Sequence, residues 1–337
     1  MELDLTLLQH IFETPSPTGY TKNMIDFLND YVTSYGYETE INRKGNLIVK
    51  VKGSSSYNIG ISAHTDTLGL MVRSIMSDGQ LRFTRIGGIQ LATVDGEYCK
   101  IFTRNGNTYT GTVLSKAPSS HVYKNAASLT RDEEGMYIRL DELVHSKNDT
   151  LKLGIENGDY IAIDPKFEIT KRGFIKTRFL DDKASVFVLL MMLKKLKEEN
   201  ITPKANLTII FTTYEEVGHG CSNVPEVDEL LAVDMGCIGE DLSTTEEMVS
   251  ICAKDGSGPY DYQMTSKLIS LAKEHKLNYA VDIYPYYSSD ASAALRGGND
   301  LKCALIGAGI HASHGMERTH LKGIEETLKL LMLYIQK

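Results

Sequence analysis

Acidic and histidine side chains directly follow several apolar, strand-like segments of this 337-residue chain. The segments "NIGISA", "TIIFTT", "LLAV" and "CALIGAG" each end within a few residues of such a group. The residues concerned are His64, Asp66, Glu215, Glu216, Asp234, His311 and His314, and the pair Asp181-Asp182 opens a long helical segment. In an α/β sheet, ligands gather beyond the carboxyl ends of the strands. The sequence therefore predicts one shared site that several strand ends supply.

Each of these residues taken alone also has an ordinary structural explanation. His64 would be a hydrogen-bonded structural histidine, and Asp234 would be a turn former. The pair Asp181-Asp182 would cap a helix and place negative charge at its N-terminus. Separate explanations for so many strand ends are less credible than one common site.

A common site of this composition points to bound metal. Carboxylates that pack together repel one another, and their pKa values rise unless cations compensate. Mixed imidazole and carboxylate ligands suit zinc, cobalt or manganese better than calcium, which prefers oxygen alone. In the sequence His64-x-Asp66, the aspartate can accept a hydrogen bond from the second imidazole nitrogen, as carboxylates beside metal-binding histidines often do.

The adjacent pair Glu215-Glu216 indicates hydrolytic chemistry. In an extended chain, neighbouring side chains point to opposite sides. One glutamate can then bind a metal while the other faces a water molecule whose pKa the metal lowers to about 7. That second carboxylate can take the proton of the water and pass it to a leaving amine. A hydrolase needs this division between ligand and base, and a structural metal site does not.

The order of strand-like and helical segments predicts an α/β domain that a second domain interrupts. In residues 1–67 and 166–337, apolar strands alternate with helices, a pattern typical of a sheet covered on both faces. Between residues 68 and 165, short strand-like pieces alternate with Gly, Asn and Asp turns, and no long helical pattern appears. We therefore expect residues 68–165 to form an inserted all-β domain.

Composition and charge exclude several classes of protein. The net charge of −8 argues against non-specific nucleic-acid binding. No apolar run has transmembrane length, and the acidic N-terminal segment does not resemble a signal peptide. The five scattered cysteines form no C-x-x-C pair, which favours reduced thiols. We expect a cytoplasmic protein that binds neither nucleic acid nor membrane.

Taken together, the motifs resemble those of the glutamyl-aminopeptidase and TET-type family of dinuclear metallo-aminopeptidases. The segments "PSPTGY", "SAHTDTLGLMV", "FLDDKASVFVLL", "YEEVGHG", "AVDMG" and "SSDASAALRGG" occur in the family's order and spacing. The combination of these motifs is specific, whereas each alone would be weak. The resemblance implies a zinc-exopeptidase-like α/β fold with a mixed sheet, helices on both faces and a small inserted β-barrel-like domain.

The resemblance also implies two divalent metal ions per subunit, zinc or cobalt, with manganese as an alternative. By matching motif positions, Asp182, the second member of its pair, would bridge the two ions. His64 and Asp234 would complete one site. Glu216 and a C-terminal histidine, taken as His314, would complete the other.

Two catalytic roles and one substrate-side role follow from the same resemblance. Glu215 would be the general base, and Asp66 would orient His64. Asp290 matches a family segment near the substrate pocket, which makes it a candidate substrate-side residue. An N-cap for the helical segment "ASAALR" is an equally good explanation of Asp290.

The last metal ligand fits the family pattern least well. The family has a histidine followed by Ser or Thr and, four residues on, a glutamate. Here "GIHASHGMERTH" places Glu317 three residues after His314. His311 is the rival ligand, and His320 is a distant third because it falls inside the following helical segment.

The prediction is therefore an aminopeptidase that removes N-terminal residues from short peptides through a water activated by two metals, with Glu215 as base. The resemblance implies a homo-oligomer, often a large one. One alternative is a metal-dependent amidohydrolase or deacylase that acts on small N-acyl compounds or dipeptides. A second alternative is a non-catalytic, metal-stabilised scaffold.

Overall fold

The structure is a computed structural model that describes residues 3–336. The chain separates into two compact units. One is the continuous segment Thr67–Pro165, and the other consists of the residues on both sides of it.

The helices and strands, numbered in chain order, have the following bounds. The helices are α1 (Leu5–Glu13), α2 (Lys22–Ser34), α3 (Lys147–Lys152), α4 (Leu180–Glu198), α5 (Tyr262–Glu274), α6 (Asp290–Arg296) and α7 (Leu321–Gln336). The strands are β1 (Thr39–Ile41), β2 (Leu47–Val51), β3 (Asn58–His64), β4 (Gly69–Ile75), β5 (Leu81–Ile86), β6 (Tyr98–Phe102), β7 (Thr108–Ser115), β8 (Met136–Leu140), β9 (Tyr160–Ile163), β10 (Glu168–Ile169), β11 (Phe174–Thr177), β12 (Asn206–Thr212), β13 (Glu229–Cys237), β14 (Val249–Asp255), β15 (Gly258–Pro259), β16 (Tyr279–Ile283), β17 (Lys302–Ile310) and β18 (Glu317–His320).

The flanking unit is built on a mixed sheet, as predicted. Its strand order is β1-β2-β12-β3-β13-β17-β14-β15, with β16 paired to β14. The pairs β12–β3, β3–β13 and β13–β17 are parallel, whereas β2–β12 and β14–β17 are antiparallel. Because parallel strands end at the same edge of a sheet, the residues that follow β3, β12 and β13 are brought together.

Apolar side chains cover both faces of this sheet. Successive strand residues point to opposite faces, and Leu231 packs into one core whereas its neighbour Leu230 packs into another. The first core includes residues of α1, α2, α4, α5 and α7, such as Phe187 in α4. The second includes Ala291 and Ala294 of α6. Burial on both faces explains why the central strands are almost continuously apolar.

The start of α4 is irregular. Phe179 adopts a left-handed φ of 69°, the peptide bond between Asp181 and Asp182 is cis, and both aspartates have non-helical backbone angles. The regular helix therefore begins after this pair. Its body, including Phe187 and Met191, is buried all round, which is typical of a helix in the middle of a core.

The segment Thr67–Pro165 contains a closed barrel with strand order β4-β5-β8-β7-β6-β9. Its strands alternate buried and more exposed residues, so one face of each strand fills the barrel. Phe83, Ile101 and Val113 are among the residues with no exposed surface. The β-barrel-like domain that the resemblance implied is present.

A small antiparallel sheet of β10, β11 and β18 joins two distant segments of the flanking unit. Thr177 of β11 pairs with Glu317 of β18. This pairing places the residues before α4 beside the residues that follow β17.

None of the helices in the described part of the chain has both the length and the apolar character needed to span a membrane.

Candidate metal centre

The carboxyl ends of the parallel strands meet as the sequence predicts. His64, the last residue of β3, lies beside Thr212, the last residue of β12. Two residues before it, Ser62 pairs with Ala232 of β13, so Asp234 lies at a corresponding height on the next strand. The sheet therefore delivers His64, Asp234 and the chain after Thr212 to one edge.

His64 is held by its neighbour Asp66 and faces the other acidic groups. Its Nδ1 contacts the Asp66 carbonyl oxygen at 2.9 Å, and because a carbonyl can only accept, Nδ1 carries a proton. Its Nε2 lies 3.0 Å from Asp181 Oδ1 and 3.8 Å from Glu215 Oε2. The nitrogen that a metal would use is thus aimed into the cluster.

Asp181 lies between two imidazoles. Its Oδ1 contacts His64, and its Oδ2 lies 3.6 Å from Nε2 of His314. The same His314 nitrogen lies 3.6 Å from Oε2 of Glu216. Asp182, the shared ligand that the resemblance implies, accepts a hydrogen bond at Oδ2 from the backbone N–H of His64 at 3.1 Å. Asp181 therefore faces both histidines, and Asp182 does not.

Two groups of side chains bring potential ligand atoms within 4.8 Å of one another. The first consists of His64, Asp181 and Glu216, and the second of His64, Asp182 and Asp234. Neither group includes Glu215.

The pair Glu215-Glu216 lies in a single 3-10 turn, Glu215–Val217, and not in the extended chain that the sequence analysis assumed. The backbone N–H groups of both glutamates donate to the Asp66 carboxylate, at 3.1 and 3.3 Å, and Thr18 donates to it at 2.6 Å. The Asp66 carboxylate lies farther from His64 Nδ1, at 3.7 Å. Asp66 thus fixes the glutamate turn through its side chain and His64 through its carbonyl.

The turn nevertheless separates the two glutamates as expected. The Glu215 carboxylate faces His64, whereas the Glu216 carboxylate faces His314. Glu216 also belongs to a ligand group with His64, so the two glutamates differ in that Glu216 reaches His314. A tight turn and not strand alternation is the cause.

Burial dominates the electrostatics of the cluster. It raises the pKa values of Asp182, Glu215 and Glu216 well above their usual range, and neighbouring carboxylates add to the rise. Burial and the Asp181 charge raise the pKa of Asp234 to about 7, against the opposing effects of His64 and the Tyr287 hydroxyl. The cluster therefore contains more negative charge than its own histidines neutralise.

Asp181 is the exception among these acids. Burial opposes its ionisation, but hydrogen bonding to His314 and His64 holds its pKa well below the usual range. The contacts with Asp181 likewise raise the pKa of His314 to about 10, although burial works in the opposite direction.

Of the three candidate histidines at the end of the chain, His314 joins the cluster. His311 is exposed, and its backbone pairs with Arg318. His320 is buried elsewhere, with Nε2 2.7 Å from the Arg172 carbonyl and Nδ1 accepting from the Lys322 N–H at 3.0 Å.

Glu317 holds two parts of the cluster, a role that the sequence analysis missed. Its carboxylate accepts hydrogen bonds from the backbone N–H of Asp181 at 3.1 Å and of His314 at 2.9 Å. The glutamate downstream of the histidine was a visible signal. Its partner at Asp181 was not, because the two residues are far apart in the sequence.

Asp290 is buried and engaged within the protein. Its oxygens accept from the Thr212 hydroxyl at 2.6 Å and from the Cys221 N–H at 2.8 Å. Ser289 is the N-cap of α6, so the capping role considered for Asp290 belongs to its neighbour. These contacts hold the loop that follows Glu216.

The residues of the cluster fit bound divalent metal. Oδ1 of Asp182 and Oε1 of Glu216 are buried and have no hydrogen-bond partner among residues 3–336. Buried carboxylate oxygens without a donor are costly unless a cation satisfies them. Imidazole and carboxylate are ligands that zinc, cobalt and manganese accept.

Comparisons with known proteins point to one family. Residues 45–330 match the family described as M42 glutamyl aminopeptidase. The protein YhfE of Bacillus subtilis (strain 168), an aminopeptidase by name, is 47% identical over 335 residues, which cover 98% of this chain and 97% of YhfE.

Solved structures share the fold. A TET aminopeptidase from a marine sediment archaeon of the Thaumarchaeota superposes with a TM-score of 0.89 at 20% identity, covering 99% of this chain and 96% of that one. The TET1 peptidase of Pyrococcus horikoshii, described as assembling into a tetrahedron or a large octahedral shell, gives 0.84 at 24% identity, with 99% of both chains covered.

Proposed function

Because the chain belongs to the M42 glutamyl aminopeptidase family, we propose that it is a metal-dependent aminopeptidase that removes N-terminal residues from short peptides. The observation that carries the proposal is the position of Glu215. Its carboxylate lies 3.8 Å from His64 Nε2, at the edge of two ligand groups that do not include it. A carboxylate that lies beside potential ligands and outside both groups is placed to act as a base.

We propose that two divalent cations occupy the cluster. His64, Asp182 and Asp234 would hold one, and Glu216 and His314 would hold the other. The Asp181 carboxylate, whose two oxygens face both histidines, is better placed than Asp182 to be the shared ligand. When bound, such cations supply positive charge that polarises a peptide carbonyl and makes water acidic enough to lose a proton near neutral pH.

Glu215 would move the proton in this reaction. Its carboxylate would accept a proton from the attacking water and deliver it to the nitrogen of the leaving amine. The hydrogen bond from its N–H to Asp66 fixes the backbone from which the side chain reaches the reacting atoms. Burial raises the pKa of Glu215, which suits a group that must both accept and release a proton.

The replacement Glu215→Gln tests the proposal. We expect turnover of aminoacyl-anilides to fall by about 10²–10⁴-fold, as is usual when a general base is lost, with bound metal and folding unchanged. The matched variant Glu216→Gln should lose bound metal as well as activity, because Glu216 belongs to a ligand group. Turnover and metal content are measured on the same samples. Undiminished turnover by Glu215→Gln would exclude this base.

The substrates in the assay decide between the candidate activities. A panel of aminoacyl-anilides and short peptides is compared with N-acetylated amino acids and dipeptides, with and without a chelator. An aminopeptidase cleaves compounds with a free amine and stops when the chelator removes the metal. Activity confined to N-blocked compounds would show an amidohydrolase, and metal binding without activity on any of them would show a scaffold.

We also propose that the chain forms a homo-oligomer. The assembly described for the TET1 peptidase of Pyrococcus horikoshii supports this proposal, because that protein has the same fold. Light scattering from the purified chain measures the mass of the assembly directly.

A further inference from the structure

The loop between β16 and α6 brings an aromatic side chain to the metal centre. Tyr287 in this loop is held on several sides. Its carbonyl accepts from the Gly256 N–H at 2.9 Å, and its ring meets the ring of Tyr284 edge-on, with centroids 5.3 Å apart. The ring also packs against the apolar cores on both faces of the sheet. Its position is therefore set by the fold and not by a contact with the site.

The hydroxyl of Tyr287 is buried and has no hydrogen-bond partner in the described part of the chain. Buried tyrosine hydroxyls normally find one. A tyrosine hydroxyl has one hydrogen to donate. Burial and then the charges of Asp234, Asp181 and Glu215 raise the pKa of this group, so the hydroxyl lies among the carboxylates of the cluster.

The other proposed ligands already have a residue that fixes them. The Asp66 carbonyl holds His64, and Glu317 accepts from the backbone N–H groups of both Asp181 and His314. The Asp66 carboxylate holds the turn of Glu216.

The Asp234 backbone is held by the pairing of β13 with β17 and by the Ser185 hydroxyl, which donates to the Asp234 carbonyl at 2.8 Å. Its carboxylate accepts from the N–H of the next residue, Met235, at 2.6 Å to Oδ1. Tyr287 is the nearby side chain with a hydrogen left to donate. Tyr287 is therefore placed to fix the Asp234 side chain, as Glu317 and Asp66 fix the other ligands.

We propose that Tyr287 is a positioning residue for Asp234: when a cation is bound, the Tyr287 hydroxyl donates a hydrogen bond to the Asp234 carboxylate and orients it toward the cation that it shares with His64. The inference rests on the proposed function, since it assigns a role within the same metal centre. Loss of a residue that orients a metal ligand commonly weakens metal binding by 10–100-fold. The hydroxyl is buried, so bulk solvent does not satisfy its hydrogen bond.

The test is the replacement Tyr287→Phe, which removes one oxygen and keeps the ring. Cobalt affinity is measured by competition with a chromophoric chelator, and the visible absorption of bound cobalt is recorded at each step. We expect one of the two cobalt ions to bind about 10–100-fold more weakly, with a changed absorption spectrum for that ion. The second ion keeps its affinity, and excess cobalt restores turnover.

Tyr286→Phe is the matched control, because Tyr286 is the neighbouring residue and its side chain is fully exposed. It should bind both ions like the original protein. Thermal unfolding and circular dichroism show that both variants are folded. Since phenylalanine keeps the packing against both cores, a general loss of structure is not expected in Tyr287→Phe.

The outcomes separate this inference from the proposed function. Two cobalt ions bound equally well by the original chain and by Tyr287→Phe would overturn the role of Tyr287 and leave the metal centre intact. The same holds if Tyr287→Phe binds cobalt normally but loses affinity for a tetrahedral aminophosphonate, which would indicate direct contact with the reacting group. A chain that binds no divalent cation would overturn both.

Discussion

At the scale of single residues, the metal centre depends on which member of an acidic pair faces the histidines. Asp181 and Asp182 are adjacent, and their spacing in the sequence does not show which of them faces the histidines. The structure separates them because the backbone at the start of α4 is not helical. Asp181 therefore points its oxygens at His64 and His314, and Asp182 lies beside Asp234 and the His64 backbone.

Replacing each member of the pair by asparagine distinguishes their roles. Asp181→Asn should weaken the binding of both cations, because Asp181 faces both histidines. Asp182→Asn should weaken the binding of only the cation that Asp234 also holds. Metal content after equilibrium dialysis, measured by mass spectrometry, reports the number of ions retained. Asp26→Asn, at an exposed position of α2, serves as control.

The reverse pattern would restore the assignment that the sequence favoured. If Asp182→Asn emptied both positions and Asp181→Asn only one, the second aspartate would be the shared ligand. Equal losses from both variants would mean that neither aspartate is shared alone.

At the scale of helices and strands, the sequence predicted the convergence of the site but not its detail. His64 at the end of one apolar strand and Asp234 near the end of another identify the edge of a parallel sheet, because strand periodicity and strand ends are local properties. The turn at Glu215-Glu216, the irregular start of α4 and the partners of Glu317 depend on residues far away in the chain. No local pattern can show these contacts, and Tyr287 had no signal in the sequence at all.

The N-terminus of α6 illustrates how an element supports the site. Ser289 caps the helix in a capping box with Ser292, and its hydroxyl lies 2.8 Å from the Tyr260 hydroxyl. The next residue, Asp290, holds Thr212 and the loop at Cys221. Loss of the cap would therefore affect the loop that follows Glu216.

Removing this cap should lower stability measurably. For Ser289→Ala we expect a loss of about 1 kcal/mol, the usual cost of an N-cap serine, with a further decrease from the contact with Tyr260. Denaturant unfolding measures the change in free energy. Ser55→Ala, at an exposed position, should leave stability within experimental error. If Ser289→Ala is as stable as the original protein, Asp290 and its neighbours hold α6 without Ser289.

At the scale of the whole molecule, stability should depend on bound metal. The cluster lies within the unit that contains the nine-stranded sheet, and burial raises the pKa values of most of its acids. A ligand that binds only the folded chain at about a thousand times its dissociation constant stabilises it by about 4 kcal/mol.

We therefore expect the chelator-treated protein to unfold at a lower temperature than the zinc- or cobalt-loaded protein. Calorimetric scans at several metal concentrations should show the unfolding temperature rising with free metal. Glu215→Gln, which keeps all proposed ligands, should show the same dependence. Identical scans with and without metal would mean that the cluster does not bind cations in the folded state.

The small sheet of β10, β11 and β18 carries a consequence for biosynthesis. Through the pairing of Thr177 with Glu317, it connects the start of α4 to the segment that contains His314. A chain emerging from the ribosome forms its N-terminal regions first, and His314 follows every strand of the nine-stranded sheet in the sequence. A nascent chain would therefore hold His64, the aspartates and the two glutamates of the cluster before His314 is available to join them.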